Sequence, residues 1–127
     1  MTGRIQFSFL KMAPMIIVMA AIFFFSHQPG DYFALPPLRG LDKVLHAIAY
    51  GVLAGTVILA LPPAQEKHSL NRSAILAIAI CLAYGISDEI HQLYIQGRCA
   101  SLWDVVADLV GSSAVIGGWR RLRLKGR

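Results

Sequence analysis

Four apolar stretches, each close to the length needed to cross a lipid bilayer, constrain this chain more than any other feature. As a helix, about 20 mostly apolar residues span roughly 30 Å of hydrocarbon, and about 17 suffice. The first stretch extends from about Ile5 to Ser26, with Gln6 and Lys11 near its start, and the turn His27-Gln28-Pro29-Gly30 closes it. The second runs from Asp42 to Leu61, where Pro62 and Pro63 remove two backbone donors and stop a helix. The third runs from Ser73 to Gln92, turning polar at Ser87, Asp88 and Glu89, and the fourth from Ser101 to Trp119, with Arg120 next. The pattern predicts an all-α polytopic membrane protein, a bundle of four transmembrane helices in a single domain over residues 1–127. The first stretch is longer than the core of a signal peptide and no small-x-small cleavage site follows Phe25, so it is expected to remain as a helix.

The composition agrees: 56% of residues are hydrophobic and 15% charged, against roughly 25% charged in a soluble average, and the mean hydropathy is +0.57. A net charge of +5 raises the question of nucleic acid, but the basic residues flank apolar runs instead of lining one groove-facing element, so no nucleic-acid partner is expected. Cys81 and Cys99 stand in no metal-ligand spacing and are not expected to pair.

Lys and Arg accumulate on the cytoplasmic side of short loops, which orients the bundle. With the N-terminus inside, Arg4, Lys11, Lys67, Arg72, Arg120, Arg121, Arg123, Lys125 and Arg127 are cytoplasmic, and only Arg39, Lys43 and Arg98 fall outside. Both termini are therefore expected in the cytoplasm. The basic tail also suits anionic membrane lipid, at about 1 kcal/mol per charge near the surface, though fixing the topology explains it sufficiently.

The same orientation collects Asp31, Asp42, Asp88, Glu89, Asp104 and Asp108 at the outer face and leaves Glu66 inside. Residues three or four apart share a helix face. Asp42, His46 and Tyr50 therefore form one stripe, with Lys43 beside it; Asp88 can meet His91 and Gln92, and Glu89 can meet Gln92; Asp104 and Asp108 form a third line, reached through the loop carrying Arg98. A carboxylate at bilayer depth costs several kcal/mol unless paired or wetted, so the three stripes should face one another across the bundle. A polar cap that only locks the helices is the plainer interpretation. The density of carboxylates, imidazoles, a tyrosine and an arginine within one region favours proton transfer or recognition of an anion. His46, His91 and the carboxylates are also ligand types for zinc or manganese. Without a ligand signature such as His-Glu-x-x-His, no metal and no cofactor is assigned. His27 and His68 are expected to be solvated. Gly51 and Gly55, with Ser113 and Gly117, are spaced for close helix packing within the bundle or in a homo-oligomer.

Three segments carry a family likeness: Asp42-Lys43-Val44-Leu45-His46 with Tyr50; Tyr84-Gly85 with Ser87-Asp88-Glu89-Ile90-His91-Gln92; and Gly97-Arg98-x-x-Ser101-Leu102-x-Asp104. From about Ser26 to Gly111 the chain resembles the VanZ-like family of bacterial membrane proteins. The resemblance implies a multi-pass protein of the cytoplasmic membrane and, through the member that named the family, a link to low-level resistance to the cell-wall-directed glycopeptide teicoplanin. It implies no settled reaction. The family's recurring polar positions fall on Asp42, Lys43, His46, Tyr50, Glu89, Gln92, Arg98 and Asp104, while Asp108 stands where an asparagine is expected.

Together these readings predict an outer-face site acting on a cell-envelope or lipid-linked substrate. In an enzyme, Glu89 would be the general acid or base, His46 or His91 would carry the proton, Asp104 would orient Arg98 or a histidine, and Arg98 and Lys43 would hold an anionic group. Gln92, Tyr50, Asp42, His91, Asp88 and Asp108 complete the expected binding set. The alternatives are a binding or assembly factor without chemistry and a small dimeric transporter. The transporter would want charges near the midplane, whereas Asp108 lies only about 10 Å into its helix.

Overall fold

The computed structural model describes residues 9–32, 35–36, 38–64 and 66–126. Their regular elements are four helices, with no strand among the described residues: α1 (Phe9–Ser26), α2 (Leu41–Ala60), α3 (Lys67–Gln92) and α4 (Leu102–Lys125). The expected start of the first helix at Ile5, with Gln6, and the topology charges Arg4 and Arg127 lie outside the described residues.

Local chemistry sets most of the ends. Leu61 adopts an extended conformation (φ −74°, ψ 151°) directly before Pro62, and this ends α2 because the residue before a proline is driven out of the helical region. α3 begins at Lys67, six residues before the expected Ser73. Its first turn is secured by the Ser69 hydroxyl, which donates to the Glu66 carbonyl at 2.7 Å and accepts from the Glu66 N–H at 3.0 Å, and by Leu70, which is fully buried. His68, Asn71 and Arg72, expected in a loop, are thus helical. α4 likewise runs past Trp119 to Lys125, since its basic last turn suits the negative end of a helix dipole.

The helices alternate in direction. Ser26 at the end of α1 bonds Asp88 near the end of α3, and Lys43 at the start of α2 meets Asp104 at the start of α4. At the opposite end, Arg120 of α4 donates to Asn71 of α3 at 2.8 Å. The centre is apolar, built from Leu53, Ala54, Val57, Ala77, Cys81 and Ile116. α2 packs most extensively on α4, while α1 lies against α2 and α3. The approach of α2 to α4 is a backbone contact: a Cβ on Gly111 would stand 1.9 Å from the Ala47 carbonyl oxygen, and one on Gly51 would be 3.3 Å from Val115. Gly55 and Gly117, the other expected packing glycines, have open space around them.

Large apolar side chains, among them Phe9, Ile17, Ile48, Leu59, Ile75 and Val110, point away from the bundle. α1, α2 and α3 are long and apolar enough to cross a membrane. α4 is not among these three; it carries Asp104, Asp108 and four basic residues near its end.

Candidate functional site

The polar ends of the four helices converge into two connected layers: a cavity between α1, α2 and α3, and a buried carboxylate cluster behind it.

The cavity has a volume of about 430 Å³. Ile22 and Phe25 of α1 and Leu45 and Ala49 of α2 contribute apolar lining, and Asp42, His46, Tyr50, Asp88, Gln92 and Arg98 contribute polar lining. The stripe Asp42, His46, Tyr50 therefore lines the cavity along its length, as helical spacing requires. Asp88 accepts from the Ser26 hydroxyl at 2.8 Å, and the Gln92 amide lies 3.5 Å from both Ser26 and Asp88. Ser26 was not anticipated as a partner: its contact with Asp88 spans 62 positions and depends on how α1 and α3 align, which no local spacing encodes. The Tyr50 hydroxyl is buried and has no hydrogen-bond partner. The neighbouring Tyr84 donates to the Met19 carbonyl at 2.6 Å, tying α3 to α1.

His46 joins the layers. Its ring faces the cavity, while Nδ1 lies 2.9 Å from Asp108 Oδ1 and Nε2 lies 3.8 Å from Asp104 Oδ2. Because a carboxylate oxygen accepts, Nδ1 carries the hydrogen of that bond. Asp104 also binds Lys43, whose ammonium holds Asp42 at 2.7 Å. Asp108, 1% exposed, rests against Gly85, where a Cβ would stand 2.9 Å from Asp108 Oδ2; only a glycine leaves room for this carboxylate. Glu89 Oε2 accepts the Ser101 N–H at 2.7 Å, and Glu89 Oε1 and Asp108 Oδ2 are buried without partners. Ligand atoms of His46, Glu89 and Asp104 lie within 4.8 Å of one another, the group best disposed to hold a metal ion among the described residues.

A VanZ/LLP1 family model matches residues 11–123, nearly the whole bundle and every residue of both layers. The chain belongs to the VanZ/LLP1 family. No curated protein and no solved structure matched it. Membership and the three long apolar helices make it a VanZ-like membrane protein.

Several expected contacts meet a different geometry in this VanZ/LLP1 chain. Arg98 forms no ion pair with a carboxylate among the described residues. Its guanidinium donates to the Phe25 carbonyl at 3.0 Å and the Gln28 carbonyl at 3.1 Å, closing the C-terminal end of α1, where the last carbonyls of a helix have no partner within it. Asp104, expected to orient Arg98 or a histidine, lies against Lys43 and His46 and so meets the second of those alternatives. His91 makes no hydrogen bond to a carboxylate among the described residues: its Nε2 lies 3.1 Å from His27 Nδ1, and both rings pack on Phe23. His27, expected to be merely solvated, is thus half of an imidazole pair at the seam of α1 and α3. Glu89 makes its hydrogen bond to Ser101, not to Gln92. Cys81 is buried and Cys99 exposed, both free.

Proposed function

We propose that this VanZ/LLP1 protein binds a lipid-linked or otherwise amphiphilic cell-envelope substrate at the outer face of the bacterial cytoplasmic membrane. The observation that carries this reading is the mixed lining of the cavity, which offers hydrocarbon from α1 and α2 together with hydrogen-bonding groups from His46, Tyr50 and Gln92. Such a lining suits a molecule with an apolar tail and a polar head. In this reading all four helices span the membrane, both termini are cytoplasmic, and the cavity opens toward the envelope; the distribution of Lys and Arg supports that orientation.

If the protein modifies its substrate, His46 is the proton carrier that touches it, oriented by Asp108 through Nδ1 in the manner of a carboxylate–imidazole pair. Glu89 and Asp104 then act through His46 from behind. A second reading, recognition without chemistry, draws on Arg98 and Lys43 being engaged by internal partners instead of standing ready for a reacting anion.

Family membership makes teicoplanin tolerance the phenotype to measure. A sensitive bacterium expressing the wild-type protein should tolerate more teicoplanin than the empty-vector control. At matched membrane abundance, His46→Gln and Glu89→Gln should lose that protection. Equal protection by all three proteins would sink the assignment of the site to this phenotype.

A further inference from the structure

The carboxylate layer behind the cavity has a regularity that the amphiphile reading does not use. Each of three side chains has one polar atom held by a neighbour and one left over. His46 gives Nδ1 to Asp108 and keeps Nε2; Asp104 gives Oδ1 to Lys43 and turns Oδ2 toward His46; Glu89 gives Oε2 to the Ser101 N–H and keeps Oε1, which is buried and unpartnered on a side chain 5% exposed. The three come from α2, α4 and α3, and their ligand atoms gather within 4.8 Å.

From this arrangement we infer that His46, Glu89 and Asp104 bind a divalent transition-metal ion, of the zinc or manganese kind. A ligating histidine characteristically passes its other ring N–H to a carboxylate, which fixes the tautomer and turns the lone pair on the metal. Asp108 stands in that position, and Lys43 and Ser101 fill the equivalent outer role for the two carboxylates. Ligand atoms on one tetrahedral ion at about 2.1 Å from it lie about 3.4 Å apart, so rotation of the acidic side chains by about 1 Å closes the set. One imidazole with two carboxylates selects zinc or manganese over calcium or magnesium, which prefer all-oxygen sites.

Charge argues the same way. Of Glu89, Asp104 and Asp108, only Asp104 pairs with an ammonium among the described residues, that of Lys43, and a buried carboxylate oxygen without a partner is destabilising. A cation at this point supplies the partner that Glu89 Oε1 lacks. It would lie behind His46 at the edge of the cavity and occupy its Nε2 while Nδ1 stays on Asp108, so it goes with the recognition reading above and not with proton transfer by His46.

The test uses the full chain, purified without a polyhistidine tag, stripped with a chelator and placed in lipid nanodiscs. Zinc alone, and in a second arm manganese alone, is titrated by calorimetry and bound metal is counted by mass spectrometry. The expected result is one ion per chain, abolished by Glu89→Gln and by His46→Gln, and weakened about 10- to 100-fold by Asp108→Asn, the range typical of outer-shell carboxylates. X-ray absorption on the zinc form should show one imidazole among oxygen ligands.

The double variant His27→Gln/His91→Gln should bind as the wild type does, because that imidazole pair belongs to another seam. Circular dichroism confirms that each variant retains its helices, and a variant that does not is replaced by Glu89→Asp, for which weakened binding is expected. Absence of binding to the wild type, binding that survives Glu89→Gln, or binding lost with the His27/His91 pair overturns the inference. No lipid or glycopeptide is present in this assay, so its failure leaves the amphiphile cavity to its own experiment.

Discussion

Tyr50 shows how a single residue separates stability from function in this site. Its ring is in the core, 1% exposed, yet its hydroxyl has no partner and borders the cavity. A buried hydroxyl left unpaired costs about 1–3 kcal/mol, so Tyr50→Phe should unfold at the same temperature as the wild type or higher in a detergent melt. If the hydroxyl serves a ligand in the cavity, the same variant should protect less against teicoplanin. A fall in melting temperature would instead mean that the hydroxyl stabilises the resting fold. At this scale the sequence was legible within each helix and not between helices. The four-residue spacing of Asp42, His46 and Tyr50 put all three on the cavity wall, because helical geometry alone decides that. The partners of His46, Asp88 and Glu89 depend on helix register, and the pairing of Arg98 with α1 carbonyls instead of a carboxylate was invisible for the same reason.

Among the elements, the α2–α4 contact and the end of α1 make opposite demands. Gly111→Ala should destabilise by about 1–3 kcal/mol or more, the range for overpacking, since its Cβ would meet the Ala47 backbone and not a movable side chain. Gly55→Ala and Gly117→Ala meet nothing within 4 Å and should be neutral or stabilising by up to about 1 kcal/mol through helix propensity. Thermal unfolding of the three variants in one detergent orders them. The Gly-x-x-x-Gly pattern thus identified the right helix and only half of the contact, because a spacing marks a face and not the depth at which another helix crosses it. At α1, Arg98→Gln removes the charge-assisted bonds to the carbonyls of Phe25 and Gln28. Hydrogen exchange should then quicken in the last turn of α1 and the following turn, with the centre of α2 unchanged. The helices themselves were readable from apolar length. The start of α3 was not, since Lys67, His68, Asn71 and Arg72 look like a loop until the buried Leu70 and the Ser69 cap are seen.

At the scale of the whole molecule, the seat of the bundle in the membrane decides which compartment the cavity meets. α4 is 24 residues long, about 36 Å at helical rise, and its charges cluster at its two ends, with an apolar stretch between Leu109 and Trp119 interrupted only by small residues. Packed against α2 and α3, which are long and apolar enough to span, it would carry its basic end to the face opposite the cavity. Cys99 and Gly126 lie on either side of this helix, and both are exposed. In spheroplasts a membrane-impermeant maleimide should therefore label the wild-type protein, and Cys99→Ser should abolish the signal because Cys81 is buried in the core. In the Cys99→Ser background, Gly126→Cys should react only after lysis. Labelling of Gly126→Cys in sealed spheroplasts alongside Cys99 would mean that α4 does not cross. Labelling of Gly126→Cys alone would invert the bundle and put the cavity and the carboxylate layer on the cytoplasmic side, where an envelope substrate would have to be met before export.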